Sequence, residues 1–183
     1  TEVLRTWSGQ KRFTLNFPLF NRLPLHPDSH RIIGDTTTTL LLAADKSDGT
    51  FAQRAVALQE QLWADLEHRY FSGVQVLREL TRQRGTMAAA MPIVMTSLAG
   101  HPPRHYAASL GEAVYSISQT PQVEIDFQVF EVAGELRFNW DYLPALFPDG
   151  LVEEMFDEYC RILHRLIDDS DAWDATSFEG GPG

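Results

Sequence analysis

Thiol chemistry is nearly closed to this chain, because its 183 residues include a single cysteine, Cys160. One thiol excludes an intramolecular disulfide and any zinc site built mainly on thiolates. Its neighbours Phe156 and Leu163 read as core. Bases are also in deficit, with 15 Lys and Arg against 25 Asp and Glu and a formal net charge of -10. That balance speaks against a nucleic-acid footprint and against attraction to an anionic membrane, and leaves small molecules and proteins as the expected partners. No apolar run reaches transmembrane length, and the opening TEVLRTWSGQ has neither the apolar centre nor the small-residue cleavage site of a signal peptide. A cytoplasmic location is the expectation. The common active-site signatures are missing as well: no Gly-rich phosphate loop, no GxSxG elbow, no HExxH and no His/Cys pair at ligand spacing, so no metal site is expected. Of the six histidines, His26, His30, His101 and His105 fall in Pro-rich loops and His68 and His164 on helices, and each reads as a surface or satisfied core residue.

What is present is enough apolar material, 44% with 11% aromatic, to build one core. FTLNFPLF (13–20) alternates as a strand, and Pro18 places it at a sheet edge or breaks it. GDTTTTLLLAAD (34–45) turns from β-branched to continuously apolar, the pattern of a central strand covered on both faces. Thr50 with Gln53 forms a capping-box pattern, and Phe51, Ala55, Leu58, Leu62, Leu66 and Tyr70 follow at helical spacing. Ser72 with Gln75 starts a second helix, closed by Gly85, whose outer face carries Arg78, Arg82 and Arg84.

MPIVMTSL (91–98) reads as a short buried strand, AVYSIS (113–118) as another, and VEIDFQVFEVAGELRFNWDY (123–142) as a hairpin turning near Gly134. In the hairpin's first strand Val123 and Ile125 share one face while Gln122, Glu124 and Asp126 share the other, so Asp126 need not be buried. A last helix runs from Leu151 to about Ile167 with Leu151, Met155, Tyr159, Ile162 and Leu166 in one stripe. We expect a folded unit over 1–168 and a flexible linker over 169–183, where the chain turns acidic and then Gly- and Pro-rich, ending in SFEGGPG. At the other end a strand arrives with no preceding element to cover it. The arginine row reads as a solvated face, or as a dock for an acidic protein.

Three stretches in order carry a resemblance. PIVMTSL (92–98), SQTPQVEID (118–126) and WD (Trp140, Asp141), the last separated from Asp126 by residues 127–139, together resemble the heterocyclization domains of nonribosomal peptide synthetases. GDTTTTLLL (34–42) resembles a fourth motif of that family, with Thr36 where the family has Phe, and Met95 likewise replaces the usual Phe before Thr96. The resemblance runs from about Trp7 to about Ile167. It implies an α/β fold: the C-terminal one of two chloramphenicol-acetyltransferase-like lobes, a mixed β-sheet with long amphipathic helices, facing a tunnel shared with an N-terminal lobe that this chain does not contain. The family's D-x4-D-x2-S motif belongs to that other lobe, so the similar pattern at Asp169, Asp174 and Ser177 is coincidental.

The implied reaction has two stages. An acyl group on an upstream carrier protein is joined to the amine of a carrier-bound cysteine, serine or threonine. The side-chain thiol or hydroxyl then attacks the new amide, and loss of water gives a thiazoline or oxazoline. The resemblance assigns acid–base work to Asp126 with Thr96 beside it, and places Ser97, Gln119, Thr120, Gln122 and Asp141 along the substrate tunnel. It implies no directly bound cofactor, since phosphopantetheine arrives on the carriers. Upstream and downstream carriers and the missing lobe are the expected partners, with Arg78, Arg82 and Arg84 as carrier-docking candidates. The alternatives are a scaffold lobe of an ordinary condensation domain and a carrier-docking module without chemistry.

Overall fold

The computed structural model describes residues 1–45, 48–86, 90–99, 115, 117–118, 120–132 and 134–178. Five strands among them, β1 (Phe13–Phe20), β2 (Thr37–Ala44), β3 (Ile93–Ser97), β4 (Ile125–Val132) and β5 (Glu135–Tyr142), form one sheet in the order β2-β1-β3-β4-β5. It is a mixed sheet, as expected: β1–β2 and β4–β5 pair antiparallel, while β1–β3 and β3–β4 pair parallel. Two edge assignments change places. The apolar run of β2 lies at an end of the sheet, and the Pro-containing β1 lies inside it. β1 meets β3 at the single bridge Asn16↔Val94, so the ladder on that side has ended before Pro18 and its missing N–H interrupts nothing there. β2 owes its apolar character to helices packed on it rather than to a second neighbouring strand.

Among the described residues four α-helices accompany the sheet: α1 (Glu2–Ser8), α2 (Phe51–Glu67), α3 (Gly73–Arg84) and α4 (Leu151–Asp168). Both capping boxes form. The hydroxyls of Thr50 and Ser72 accept the backbone N–H of Gln53 and Gln75, whose side chains return to the cap backbone. Each box satisfies two of the amides a helix start leaves open. Gly73 is held against the sheet, where a Cβ would meet the Thr39 hydroxyl at 2.5 Å and its carbonyl oxygen at 2.8 Å.

The N-terminus supplies the element that periodicity did not announce. α1 is seven residues long, too short to persist alone. Its buried Val3, with Leu4 and Trp7 beside it, packs on Met155, Tyr159, Ile162 and Leu166 of α4, and that contact holds it. The C-terminal segment is likewise no linker up to Phe178. Residues Ser170–Asp174 form a 3₁₀ turn in which Ala172 is fully buried. The rings of Trp173 and Phe178 stand edge-on to Phe51 at centroid distances of 5.4 and 5.5 Å. Arg54 links both ends: it is 6% exposed, pairs with the Glu2 carboxylate, and donates to the carbonyls of Gly49 and Thr176. Acidic, Gly-rich composition masked two aromatic anchors in the segment read as a linker.

The expected AVYSIS strand is not observed among its described residues, Tyr115, Ile117 and Ser118, which lie outside any strand. His26, His30, His68 and His164 are exposed, while His101 and His105 lie outside the described residues. Among the described residues no helix is long and apolar enough to cross a membrane.

Candidate functional site

Alternation along β4 sorts its side chains between two environments. Ile125 and Phe127 face the helices, where Phe127 and its cross-strand partner Trp140 lie 5.2 and 5.9 Å from the ring of Tyr159 in α4. Asp126 and Gln128 therefore face the other way. In-register neighbours share a face, so Asp141 on β5 and Val94 and Thr96 on β3 join them. The site is a polar strip on the side of the sheet away from α4.

At its centre two acids oppose each other, Asp126 directly across from Asp141 in the β4–β5 register. One amide separates them: Gln128 Nε2 donates to Oδ2 of Asp126 and to Oδ2 of Asp141, 3.2 Å each. The same Asp141 oxygen accepts the backbone N–H of Ser118 at 2.7 Å. Hydrogen bonds to a charged acceptor contribute about 1.5–3 kcal/mol each, which offsets placing two acids side by side. Asp126 is only 6% exposed, a correction to the expectation that it need not be buried, and its Oδ1 is buried without a hydrogen-bond partner among the described residues. Leaving a buried acceptor unsatisfied costs about 1–3 kcal/mol.

The groove is walled by the SQTPQV loop, with Thr120, Pro121, Gln122, Asp126 and Asp141 in its lining. The loop turns at Thr120–Val123, where Val123 N–H donates to the Thr120 carbonyl at 3.2 Å and Gln122 sits at φ 67°. Proline followed by a positive φ is the type II pattern, and a non-glycine residue there costs about 1–2 kcal/mol. The loop is secured at its end, since Glu124 and Ile125 both donate to the Pro92 carbonyl, at 2.8 and 3.3 Å, beside the start of β3. This loop covers the acid that simple alternation would have left in water.

The other expected site residues divide. Thr96 is half-buried on the Asp126 face, opposite Gln128 and one alternation step from Asp126, with no hydrogen bond between the Thr96 and Asp126 side chains among the described residues. Ser97 is set apart from them. It occupies the exposed end of β3 on the opposite face, bordering the apolar space lined by Ile93 and Met95. The two residues of the TS pair point to opposite sides because strand alternation separates neighbours. Thr120 and Gln122 stand in the groove wall, and Gln119 lies outside the described residues.

Arg78, Arg82 and Arg84 are exposed on α3, and none lines the groove. Arg82 is engaged by Glu79 at 3.0 and 2.6 Å, a pairing that lowers the Glu79 carboxyl and raises the guanidinium. Among the described residues no cluster of three His, Cys, Asp or Glu could hold a metal. Gln128 is the residue the sequence reading passed over. The hairpin register that pairs Val132 with Glu135 also pairs 126 with 141, and a polar residue two positions after Asp126 shares its face.

No family model matches the chain. Pyochelin synthetase PchF of Pseudomonas aeruginosa is 44% identical over 177 residues, 94% of this chain and 10% of that protein. Phenyloxazoline synthase MbtB of Mycobacterium tuberculosis is 42% identical over 179 residues, 96% of this chain and 13% of that protein. The chain thus spans only about a tenth of the length of these relatives. Among solved structures, the nonribosomal peptide synthetase FmoA3 superposes with a TM-score of 0.88 at 43% identity, over 97% of this chain and 19% of its own. The EpoB cyclization-docking bidomain of Sorangium cellulosum gives 0.78 at 38% identity, over 94% of this chain and 35% of its own. The first condensation domain of the CDA synthetase shares the fold, with a TM-score of 0.68 at 19% identity. By sequence and by fold, the chain is similar to part of the cyclization and condensation domains of nonribosomal peptide synthetases.

Proposed function

We propose that this lobe serves heterocyclization, with Asp126 as the acid–base residue of cyclodehydration. One observation carries the reading: Asp126, a buried carboxylate held at one oxygen and without a partner at the other among the described residues, lies in the lining of a groove walled by Thr120, Pro121 and Gln122. In the proposed sequence, amide formation between two carrier-bound substrates comes first. The cysteine, serine or threonine side chain then adds to the new amide carbonyl, its proton leaving as the carbon–sulfur or carbon–oxygen bond forms. Water is finally expelled from the resulting carbinol as the ring C=N bond forms. The first proton needs a base and the departing hydroxyl needs an acid. A single carboxylate can do both in turn, for about 10² to 10⁴ in rate, or about 3–5 kcal/mol of barrier.

Thr96, on the same face, would bind the substrate oxygen or the carboxylate from the β3 side. The substrates would reach the groove on the phosphopantetheine arms of upstream and downstream carrier proteins, with an N-terminal lobe closing the tunnel. Docking of the acidic carriers on Arg78, Arg82 and Arg84 has less support, because Glu79 already occupies Arg82. The names of PchF and MbtB, a pyochelin synthetase and a phenyloxazoline synthase, favour ring formation over scaffold duty.

The test uses the full parent synthetase with loaded carriers and compares wild type with Asp126→Asn by intact mass of the carrier-bound product. Accumulation of the linear amide, heavier than the ring product by one water, supports the reading. An Asp126→Asn variant that still delivers the ring, or a wild type that never loses the water, returns the lobe to scaffold.

A further inference from the structure

We propose that Gln128 is the positioning residue of this site: it holds Asp126 by Oδ2, so that Oδ1 alone is offered to substrate, and through Asp141 it ties that orientation to the loop walling the groove. The inference rests on the cyclodehydration reading of Asp126. A glutamine amide has two N–H groups on one nitrogen, and here that nitrogen reaches Oδ2 of Asp126 and Oδ2 of Asp141 at 3.2 Å each. Both donors face acids.

The two acids are thereby made unequal. Oδ2 of Asp141 accepts a second donor, the Ser118 backbone N–H at 2.7 Å, and so anchors the loop. Among the described residues Asp126 receives Gln128 only, and its buried Oδ1 has no partner. Opposed in register, the pair would otherwise repel and rotate apart. The shared amide fixes both side chains at once. Gln128 is well placed for this, being flanked by Thr96 on β3 and Asn139 on β5, so its backbone is held from both sides. Ser118 N–H, Asp141, Gln128 and Asp126 form a continuous chain, and displacement of the loop at Ser118 reaches the acid through two hydrogen-bonded side chains.

The experiment uses the full parent synthetase with loaded carriers, following linear amide and ring separately by intact mass in wild type, Gln128→Met, Gln128→Glu and Asp126→Asn. Methionine keeps the length and volume and removes both donors, whereas glutamate keeps the shape and adds a third acid. In Gln128→Met, total amide formation is expected within about twofold of wild type while ring closure slows about 10- to 100-fold, the scale of a misplaced catalytic group. Gln128→Glu is expected to be slower still.

Ring closure at the wild-type rate in either Gln128 variant, with Asp126→Asn stalled at the linear amide, overturns this inference and leaves the function standing. Equal losses of amide and ring in Gln128→Met, with a lowered Tm, also overturn it, because they mark a structural role. Normal cyclization by Asp126→Asn removes the function itself, and the inference with it.

Discussion

Replacing Arg54 by methionine tests how the two ends of the chain are bound into the fold. The guanidinium meets Glu2 twice, Nε to Oε1 at 3.2 Å and Nη2 to Oε2 at 2.6 Å, and donates to the carbonyls of Gly49 at 2.6 Å and Thr176 at 3.0 Å. Arg54 itself is 6% exposed, so the pair is shielded from water and salt. Removing one partner of a buried ion pair costs about 3–5 kcal/mol, and the Arg5 guanidinium that stays 3.0 Å from Glu2 Oε1 places the loss toward the lower end. For a domain of this size each kcal/mol lowers Tm by about 2–4 °C, so the expected fall is about 6–20 °C.

Thermal unfolding followed by circular dichroism, at low and at high salt, measures it. The fall should be nearly independent of salt. Adding Glu2→Gln to Arg54→Met should recover nothing, because Glu2 still pairs with Arg5 at 3.0 Å in the single variant and the carbonyls of Gly49 and Thr176 still lack their donor. A fall below about 3 °C would refute the assignment of Arg54 as the clasp between α1, α2 and the C-terminal segment.

Two further outcomes follow from packing at named atoms. Gly73→Ala should destabilise by about 1–3 kcal/mol in urea unfolding despite alanine's better helix propensity, since its Cβ would press on the backbone of Thr39; a neutral effect would mean that α3 does not approach β2 this closely. Ending the chain after Asp168 removes the Trp173 and Phe178 contacts with Phe51 and should cost about 1–3 kcal/mol from the ring contacts alone, whereas an unchanged Tm would mark the segment as a passive linker.

Local signals announced the elements whose stability is local. Each capping box reads from four residues, the α4 stripe from its repeat, and the hairpin turn from Gly134 at φ 83°. The sheet order did not read this way, because the continuous apolar run of β2 reports only that the strand is covered, and packed helices cover it without a second neighbouring strand. α1 and the 170–174 turn were missed for a related reason: seven and five residues hold too few repeats to show a period, and their anchors lie far away in sequence.

For the site, the motif stretches pointed to Asp126 and Thr96, and the pairing of β3 with β4 puts both on one face. The burial of Asp126 was beyond them, as was the separation of Ser97 onto the other side. Side-chain alternation and hairpin arithmetic are properties of the chain itself, and they determine that Asp126, Gln128 and Asp141 share a face. Tertiary structure decides what occupies that face. Ser118 must fold back across 23 positions to donate to Asp141, and that long-range contact, with the hold of Glu124 and Ile125 on Pro92, sets the loop that walls a groove at Asp126, whose Oδ1 has no partner among the described residues.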